Sequence, residues 1–325
     1  MVFGKMEKAV SIVIANWNGE KVIAKCLDSL RQASRFYNGQ IEIIVVDDES
    51  KDDSRDIIKA NYPEVKLVVN EKNKGFGETA SRGIKESKND IVILLNNDVE
   101  VENDFIDPLV SHFEDPSVFA VSCRSFFHDR KTFNEGRKLP KFVRGFIRFP
   151  ASSNKEPSKD LIDKTRAFYS FYAVGGHCAY SREKFLALGG FSPLYYPFYW
   201  EDVDVCYRAW KRGWETVYEP KSIVYHGPHG VIKEKNKNRY VKTIMNRNRI
   251  LLVWKNCQPG TIFTYHFFPI VWKLLTYFFI LDFNFYRSFG LAVKKICGIQ
   301  RERKKEKKIA VKTDREIFQL CKETL

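Results

Sequence analysis

The sequence predicts an α/β fold built on a parallel sheet, and three observations carry that reading. Apolar runs rich in branched residues recur at Val10 to Ala15, Ile41 to Val46 and Ile91 to Leu95. They lack the regular polar alternation of a strand with one wet face, so they read as strands buried on both faces. Stretches of helical character separate them with short connections, which is the alternation of a parallel sheet crossed by helices.

The elements follow in order. Ala9 to Ala15 is a first strand, turned by Asn16-Trp17-Asn18-Gly19, and a helix runs to about Ala33 with Leu27 and Leu30 on its buried stripe. Ile41 to Val46 is a second strand, ended by Asp47-Asp48-Glu49-Ser50, and a helix from Ser50 reaches about Asn61. Val65 to Val69 is a third, short strand; Asn73-Lys74-Gly75-Phe76-Gly77 is a glycine-bearing loop before a helix through Ile84. The fourth strand, Ile91 to Leu95, runs straight into Asn96-Asn97-Asp98. Ligands of open α/β sheets sit beyond the carboxyl ends of the strands, so a carboxylate there is well placed to hold a hard divalent cation. Asn-Asn-Asp is also good turn chemistry, and Asp47 or Asp48 can equally cap the helix that follows. Asp48, in the same crevice, can hydrogen-bond a base or ribose.

Beyond the fourth strand, Phe105 to Phe113 reads as helix and Val118 to Ser122 as strand. From Phe127 to Lys164 the pattern weakens: basic and aromatic residues mix with Gly, Pro and Ser, as expected of a surface insertion, an acceptor surface or a membrane-facing flap. Phe171 to Tyr180 reads as a strand in which Gly175 and Gly176 permit close backbone approach to a ligand. Arg182 to Leu188 is a short helix, and an aromatic patch from Tyr195 to Trp200 precedes Glu201-Asp202-Val203-Asp204, which opens a helix reaching Arg212. Acids at a helix N-terminus are favoured by the dipole, but that accounts for one or two of the three. Glu215 to Tyr218 and Ser222 to Tyr225 are two short extended segments, followed by His226 and His229, each a metal ligand or a satisfied polar residue. Tyr240 to Trp254 is helical.

The last part of the chain changes character. Thr261 to Tyr286 is largely apolar and aromatic but is interrupted by His266, Pro269, Lys273 and Asp282, short of a charge-free membrane span. Helices lying in a membrane interface fit best, with a dimer or domain contact as the other reading. Lys294 to Leu325 is strongly basic, with Arg301, Arg303, Lys304, Lys305, Lys307 and Lys308 clustered; this favours an anionic membrane surface over a solvated helix.

Composition narrows the function classes. The 325 residues carry a formal net charge of +14, with 26 Phe and 15 Tyr. A basic, aromatic-rich chain points to anionic lipid, phosphate-bearing substrate or nucleic acid, and no nucleic-acid recognition module is visible. Seven Cys without a close CxxC pair point to a reducing compartment and away from a disulfide framework or zinc knuckle. No signal-peptide pattern precedes the first strand. GxxxxGK[ST] and GxGxxG are both absent, which removes the usual ATPase and dinucleotide signatures.

Taken together, the motifs resemble the inverting family 2 glycosyltransferases of GT-A fold, especially rhamnosyltransferase-like members. Ser11 to Gly19 is similar to their opening strand, Val45 to Ser54 to the nucleotide-binding strand end, Asn73 to Gly77 to the glycine loop, and Leu94 to Asp98 to the DxD segment. Trp200 to Asp204, then Gly213-Trp214, is similar to the catalytic-base segment, and Tyr225-His226 to the segment that closes the site. The resemblance covers about Ala9 to Asn256. It departs at Asn96, which stands where the first Asp of DxD would be and gives up one carboxylate.

The resemblance implies a Rossmann-like mixed central sheet flanked by helices, to which the composition of the tail adds a C-terminal helical hydrophobic and basic extension. It implies a domain over 1–258, with a nucleotide-binding half to about 122 and an acceptor-binding half to 258; the tail lies outside the resemblance, and its own residues predict an extension over 259–325 that meets a membrane or a second copy in a homodimer. The resemblance implies a nucleoside-diphosphate sugar contacted by Ala15, Asn16, Asn18, Asp48, Asn73, Gly75, Asn96 and Asn97. Asp98 and His226, with His229 as alternate, are the implied ligands of Mn²⁺ or Mg²⁺. Asp202 is the implied general base, and Glu201, Trp200 and Gly176 the implied contacts to sugar or acceptor; Asp204 is structural. The expected reaction moves a sugar, with rhamnose favoured, to a glycan or lipid-linked acceptor of cell-surface polysaccharide synthesis. The expected place is the cytoplasmic face of a bacterial membrane, held peripherally. A nucleotidyltransferase, or an inactive sugar- or membrane-binding protein, are the alternatives.

Overall fold

A computed structural model of the chain describes residues 8–150, 156, 158–165, 168–227, 238–279, 281 and 283–323. The first half alternates as expected: β1 (Val10–Asn16), α1 (Ile23–Ala33), β2 (Ile41–Asp47), α2 (Ser54–Asn61), β3 (Lys66–Val69), α3 (Phe76–Glu86) and β4 (Ile91–Asn96). β1 pairs in parallel with both β2 and β4, and β2 with β3. Successive side chains of β1 point to opposite faces. Val10, Ile12 and Ile14 therefore join Leu27 and Leu30 of α1 in one core, while Val13 joins Ala80 and Ile84 of α3 in another. Both faces are covered, which is why the run shows no polar alternation.

The second half contains β5 (Val99–Val101), α4 (Ile106–Ser111), β6 (Val118–Phe126), β7 (Phe133–Glu135), a hairpin of β8 (Lys141–Val143) and β9 (Phe146–Arg148), and α5 (Lys159–Lys164). β10 (Phe168–Tyr169), β11 (His177–Ser181), α6 (Arg182–Ala187), α7 (Glu201–Lys211), β12 (Glu215–His226) and α8 (Asn238–Asn256) follow. Across the main sheet the order is β10-β12-β6-β11-β4-β1-β2-β3, with β5 on β12 and β7 on β6. β11 is antiparallel to both of its neighbours, β4 and β6, while β12 runs parallel to β6. The sheet is thus mixed: one reversed strand joins the parallel half to the rest.

Three expectations from periodicity need correction. The strand expected over Phe171 to Tyr180 begins only at His177. The backbone before it bonds to side chains and loops instead of a neighbouring strand: Val174 N donates to Ser122 Oγ at 3.3 Å, Ala173 N to Cys206 Sγ at 3.4 Å and Phe171 N to Lys138 O at 2.9 Å. The two segments at 215–218 and 222–225 are one strand, β12, whose pairing with β6 shifts between Glu219 and Ile223. Pro220 lies in that gap and has no N–H to contribute to a ladder. The weakly patterned stretch after Phe127 holds β7, the β8–β9 hairpin and α5, elements too short to show a period.

A further core gathers Tyr207 and Trp210 of α7, Ile250 to Val253 of α8, and Phe146 and Ile147 of the hairpin. Residues of the C-terminal stretch complete it: Ile270 of helix Phe268–Thr276, Phe285 and Ala292 of helix Phe283–Val293, Ile299 of helix Ile296–Lys307, and Ile317 of helix Asp314–Leu320. Buried Asp314 ties the end of the chain down. It accepts from Tyr207 Oη at 2.6 Å and Gln258 N at 2.7 Å, and pairs with Lys211. No helix among the described residues is long and apolar enough to cross a membrane.

Candidate functional site

The parallel strands deliver their carboxyl ends to one place. Register sets Asn16 opposite Asp47 and Ala15 opposite Asn96. Asn16 is buried, with its amide nitrogen donating to Asp47 Oδ2 at 2.8 Å and Ser54 Oγ at 3.0 Å, while its oxygen accepts from Asn97 Nδ2 at 2.8 Å. Asn18, at φ 50°, holds the next loop by accepting from Lys51 N at 2.9 Å. Asp48 is also buried: Oδ1 accepts from Asn70 Nδ2 and Lys74 N, and Oδ2 from Gly75 N, each at 2.8 Å. Its carboxylate therefore pins the glycine loop, whose Asn73 N donates to Glu49 Oε2 at 2.9 Å. Gly75, at φ 76°, sits where an added Cβ would lie 2.6 Å from Pro197 O.

A cleft of about 1270 Å³ opens above these ends. Every predicted residue that the structure describes lines it: Ala15, Asn16, Asn18, Asp48, Asn73, Gly75, Asn96, Asn97, Asp98, Gly176, Trp200, Glu201, Asp202 and His226. His229 lies outside the described residues. β5 folds back on β12 with Val99 opposite His226, which brings Asp98 Oδ1 to 3.3 Å from His226 Nε2. Asn96 Nδ2 lies 3.5 Å from the same nitrogen. Asn96 N donates to Gly176 O at 2.8 Å, and a Cβ on Gly176 would come within 2.4 Å of Asn96 Nδ2, so the glycine is what lets these two segments meet.

Among the described residues no three acids, histidines or cysteines cluster as a cage for a cation. Asp98 and His226 are a carboxylate and an imidazole at one strand-end corner. That donor set suits a divalent ion whose remaining ligands are water and substrate phosphate oxygens.

On the other side of the cleft, Asp202 sits in the first turn of α7. Gly175 N donates to Oδ2 at 3.1 Å and Val203 N to Oδ1 at 2.8 Å, fixing the carboxyl while part of it faces the cleft. Burial pushes Asp202 up to about 6, against the lowering effect of those two N–H groups, and the Glu135 charge adds to the rise. Burial and the adjacent Asp202 push Glu201 well above the usual range. Asp204 points away into the core. Its carboxylate accepts from Arg208 Nε at 2.8 Å, Lys255 Nζ at 2.7 Å, Asn256 Nδ2 at 2.8 Å and Tyr195 Oη at 2.9 Å. That network anchors α7 under the site.

The loop that presents Trp200 is held by α8. Asn248 Nδ2 donates to the carbonyls of Phe198 at 3.0 Å and Tyr199 at 2.7 Å, and Arg247 Nη2 to that of Tyr196 at 2.6 Å. Tyr199 and Trp200 adopt φ 70° and 78°, left-handed conformations that bulky residues rarely take.

Glu135, Lys138, Arg148, Phe149, Tyr172 and Arg249, to which no individual role was assigned from sequence, also line the cleft. Burial pushes Glu135 up, but Lys138, His177 and His226 outweigh it and bring the carboxyl down to about 2. His177 Nε2 lies 3.6 Å from Glu135 Oε2, and burial lowers that imidazole below its usual range. The ring of His177 stands 5.8 Å from that of His226. Basic and aromatic residues in the run after Phe127, and Arg249 on the helix from Tyr240, were the sequence signals for this wall.

Residues 11–189, a little over half of the chain, match the family profile of glycosyl transferase family 2. The O-antigen chain rhamnosyltransferase RfbN of Salmonella typhimurium is 24% identical over 238 residues, 72% of this chain and 71% of that protein. The N-acetylglucosaminyl-diphospho-decaprenol L-rhamnosyltransferase of Mycobacterium tuberculosis is 27% identical over 204 residues, 57% of this chain and 66% of that one. The chain spans only 29% and 39% of the length of two further curated relatives. A crystal structure of GalNAc-T7 with UDP, GalNAc and Mn²⁺ superposes with a TM-score of 0.59 at 21% identity, covering 77% of this chain and 48% of that one. A likeness at this identity establishes the fold: a GT-A-type mixed α/β sheet flanked by helices, here with additional C-terminal helices.

Proposed function

The chain belongs to glycosyl transferase family 2, and from that premise we propose that it moves a sugar from a nucleoside-diphosphate donor to a hydroxyl of a glycan or lipid-linked acceptor, with inversion. The observation that carries this reading is one cleft that holds both the Asp98–His226 corner and the fixed, upward-shifted carboxyl of Asp202. The nucleoside lies against Asn16, Asn18, Asp48, Asn73 and Gly75, with Ala15, Asn96 and Asn97 beneath it. Its diphosphate points to Asp98 and His226. A divalent cation bound there, Mn²⁺ or Mg²⁺, supplies charge that offsets the leaving diphosphate. Asp202 accepts the proton of the acceptor hydroxyl as its oxygen bonds to the anomeric carbon from the face opposite the leaving group. Glu201, Trp200 and Gly176 shape the sugar pocket.

The two rhamnosyltransferase relatives support rhamnose as the first donor sugar to test, and the O-antigen chain enzyme supports cell-surface polysaccharide as the product class. We read 1–258 as the catalytic unit and 259–325 as an extension docked on it. Exposed Phe263, Phe268, Trp272, Leu275, Phe278 and Phe279, with the basic helix Ile296–Lys307 nearby in sequence, support a peripheral seat on an anionic membrane at the cytoplasmic face of a bacterium. A homodimer contact is the competing use of the same apolar surface.

Turnover of UDP-, GDP- and dTDP-sugars, with and without EDTA, tests the reading. We expect sugar transfer that EDTA suppresses and that D202N lowers by about 10² or more, with nucleotide binding retained. Full turnover by D202N would remove Asp202 from the role of base. Failure of every donor would sink the transfer reaction itself.

A further inference from the structure

We propose that Arg148 and Arg249 form a seat for the diphosphate group of a lipid-linked acceptor, beside the Trp200-to-Asp202 wall of the cleft. This rests on the glycosyltransferase reading above and adds to it the acceptor's chemistry and two binding residues.

Several enclosed cations elsewhere meet acids, and buried Arg247 is satisfied by Asn248 and the carbonyls of Tyr195 and Tyr196. Arg208 meets Asp204 at 2.8 Å, Lys255 meets Asp204 at 2.7 Å and Arg212 meets Glu306 at 2.9 Å. Arg148, at the end of β9, and Arg249, on α8, are treated differently. Both line the cleft, and neither forms an ion pair among the described residues. The Nε of each is buried with no hydrogen-bond partner there. Arg249 keeps one bond, from Nη1 to Asn246 Oδ1 at 3.2 Å, and lies 5.4 Å from the centre of the Trp200 ring. β9, which ends at Arg148, packs against α8, and burial, then the charge of Arg148, brings Arg249 down to about 10. Two like charges held together without an acid are unfavourable unless an anion joins them. The planar forks of a guanidinium pair suit phosphate oxygens.

The surroundings say which phosphate. Phe149, next to Arg148, packs 6.1 Å from Trp200 and 4.8 Å from Tyr172, so the pair belongs to the aromatic wall rather than to the strand-end corner of Asp98 and His226. The hairpin that carries Arg148 also rests on the exposed apolar segment. Phe142 stacks on Tyr265 at 5.0 Å, and Phe146 meets the His266 ring at 5.7 Å and Lys273 at 4.3 Å. One hairpin therefore joins the cleft to the apolar surface that bears Phe263, Phe268 and Trp272. A prenyl chain lying on that surface would bring its diphosphate to the arginines and the attached sugar to Asp202.

The test is binding by titration calorimetry, which needs no turnover and is independent of the transfer reaction. The ligands are farnesyl diphosphate, farnesol, inorganic pyrophosphate and the tightest binder among UDP, GDP and dTDP. We expect the double variant R148Q/R249Q to bind farnesyl diphosphate at least tenfold more weakly. Nucleotide affinity and Tm should stay unchanged, and R148K/R249K should recover part of the loss. Farnesol and pyrophosphate should each bind more weakly than farnesyl diphosphate. The proposal is overturned if the wild type does not bind farnesyl diphosphate, or if the double variant binds it normally. It is also overturned if nucleotide affinity falls equally, which would assign the pair to the donor, or if pyrophosphate alone binds as tightly, which would remove the lipid.

Discussion

Asp202 and Glu135 occupy the same cleft and are driven in opposite directions. Burial lifts Asp202 to about 6, whereas Lys138, His177 and His226 overcome the burial of Glu135 and hold it at about 2. In its proposed role of general base Asp202 works as the carboxylate, so raising its pKa removes the working form as pH falls. We therefore expect kcat/KM to drop about tenfold per pH unit below about 6. Glu135 is ionised throughout that range, and its negative charge raises Asp202. Replacing it by Gln removes that charge, so the acid limb of the E135Q profile should move to lower pH. A limb that stays in place or moves up would show that the two groups are not coupled. Asp202 was legible from its place after an aromatic patch and before a helix. Glu135 was not, because β7 is three residues long and carries no period.

At the scale of an element, α8 is a brace for the loop that presents Trp200. Asn248 spends its amide on the carbonyls of Tyr195, Phe198 and Tyr199, and this offsets the left-handed backbone at Tyr199 and Trp200, which costs on the order of 1–2 kcal/mol for each. Asn248→Ala leaves those buried carbonyls short of donors. We expect a loss of about 3 kcal/mol in urea unfolding and a fall in turnover below what the lost stability explains, because Trp200 and Asp202 lose their fixed approach. Unchanged stability would show that the loop holds itself. The helix was visible in the sequence, with Arg247 and Asn248 on it. Which face they occupy relative to a loop some 50 residues earlier depends on packing, which periodicity does not report.

At the scale of the whole molecule, the chain beyond Gln258 is part of the fold. Phe285, Ala292, Ile299 and Ile317 share a core with Trp210 and Ile250, and Asp314 binds Tyr207 and Lys211 of α7. Cutting at that point would expose a core, so the membrane proposal needs surface substitutions. Trp272 and Phe279 are 67% and 81% exposed and can be changed without opening a cavity. Burying one large apolar side chain is worth about 1.5–3 kcal/mol, so W272S/F279S should lower flotation with phosphatidylglycerol vesicles more than tenfold at unchanged Tm. Equal flotation would leave the surface to a protein contact, seen as a concentration-dependent dimer that the same variant dissolves.

The strand–helix alternation, the polar residues at the strand ends and the acids opening α7 were legible from the residues alone, because burial on two faces and strand-end chemistry leave local marks. Tertiary structure alone decided that β11 runs backwards between β4 and β6, that Asp98 and His226 meet, and that Arg148 and Arg249 share a wall of the cleft. Those contacts join residues far apart in the chain, from Cys178 and Ser122 to Asp98 and His226. They are set by strand register and by the docking of one hairpin and one helix, and neither has a local signature in the chain.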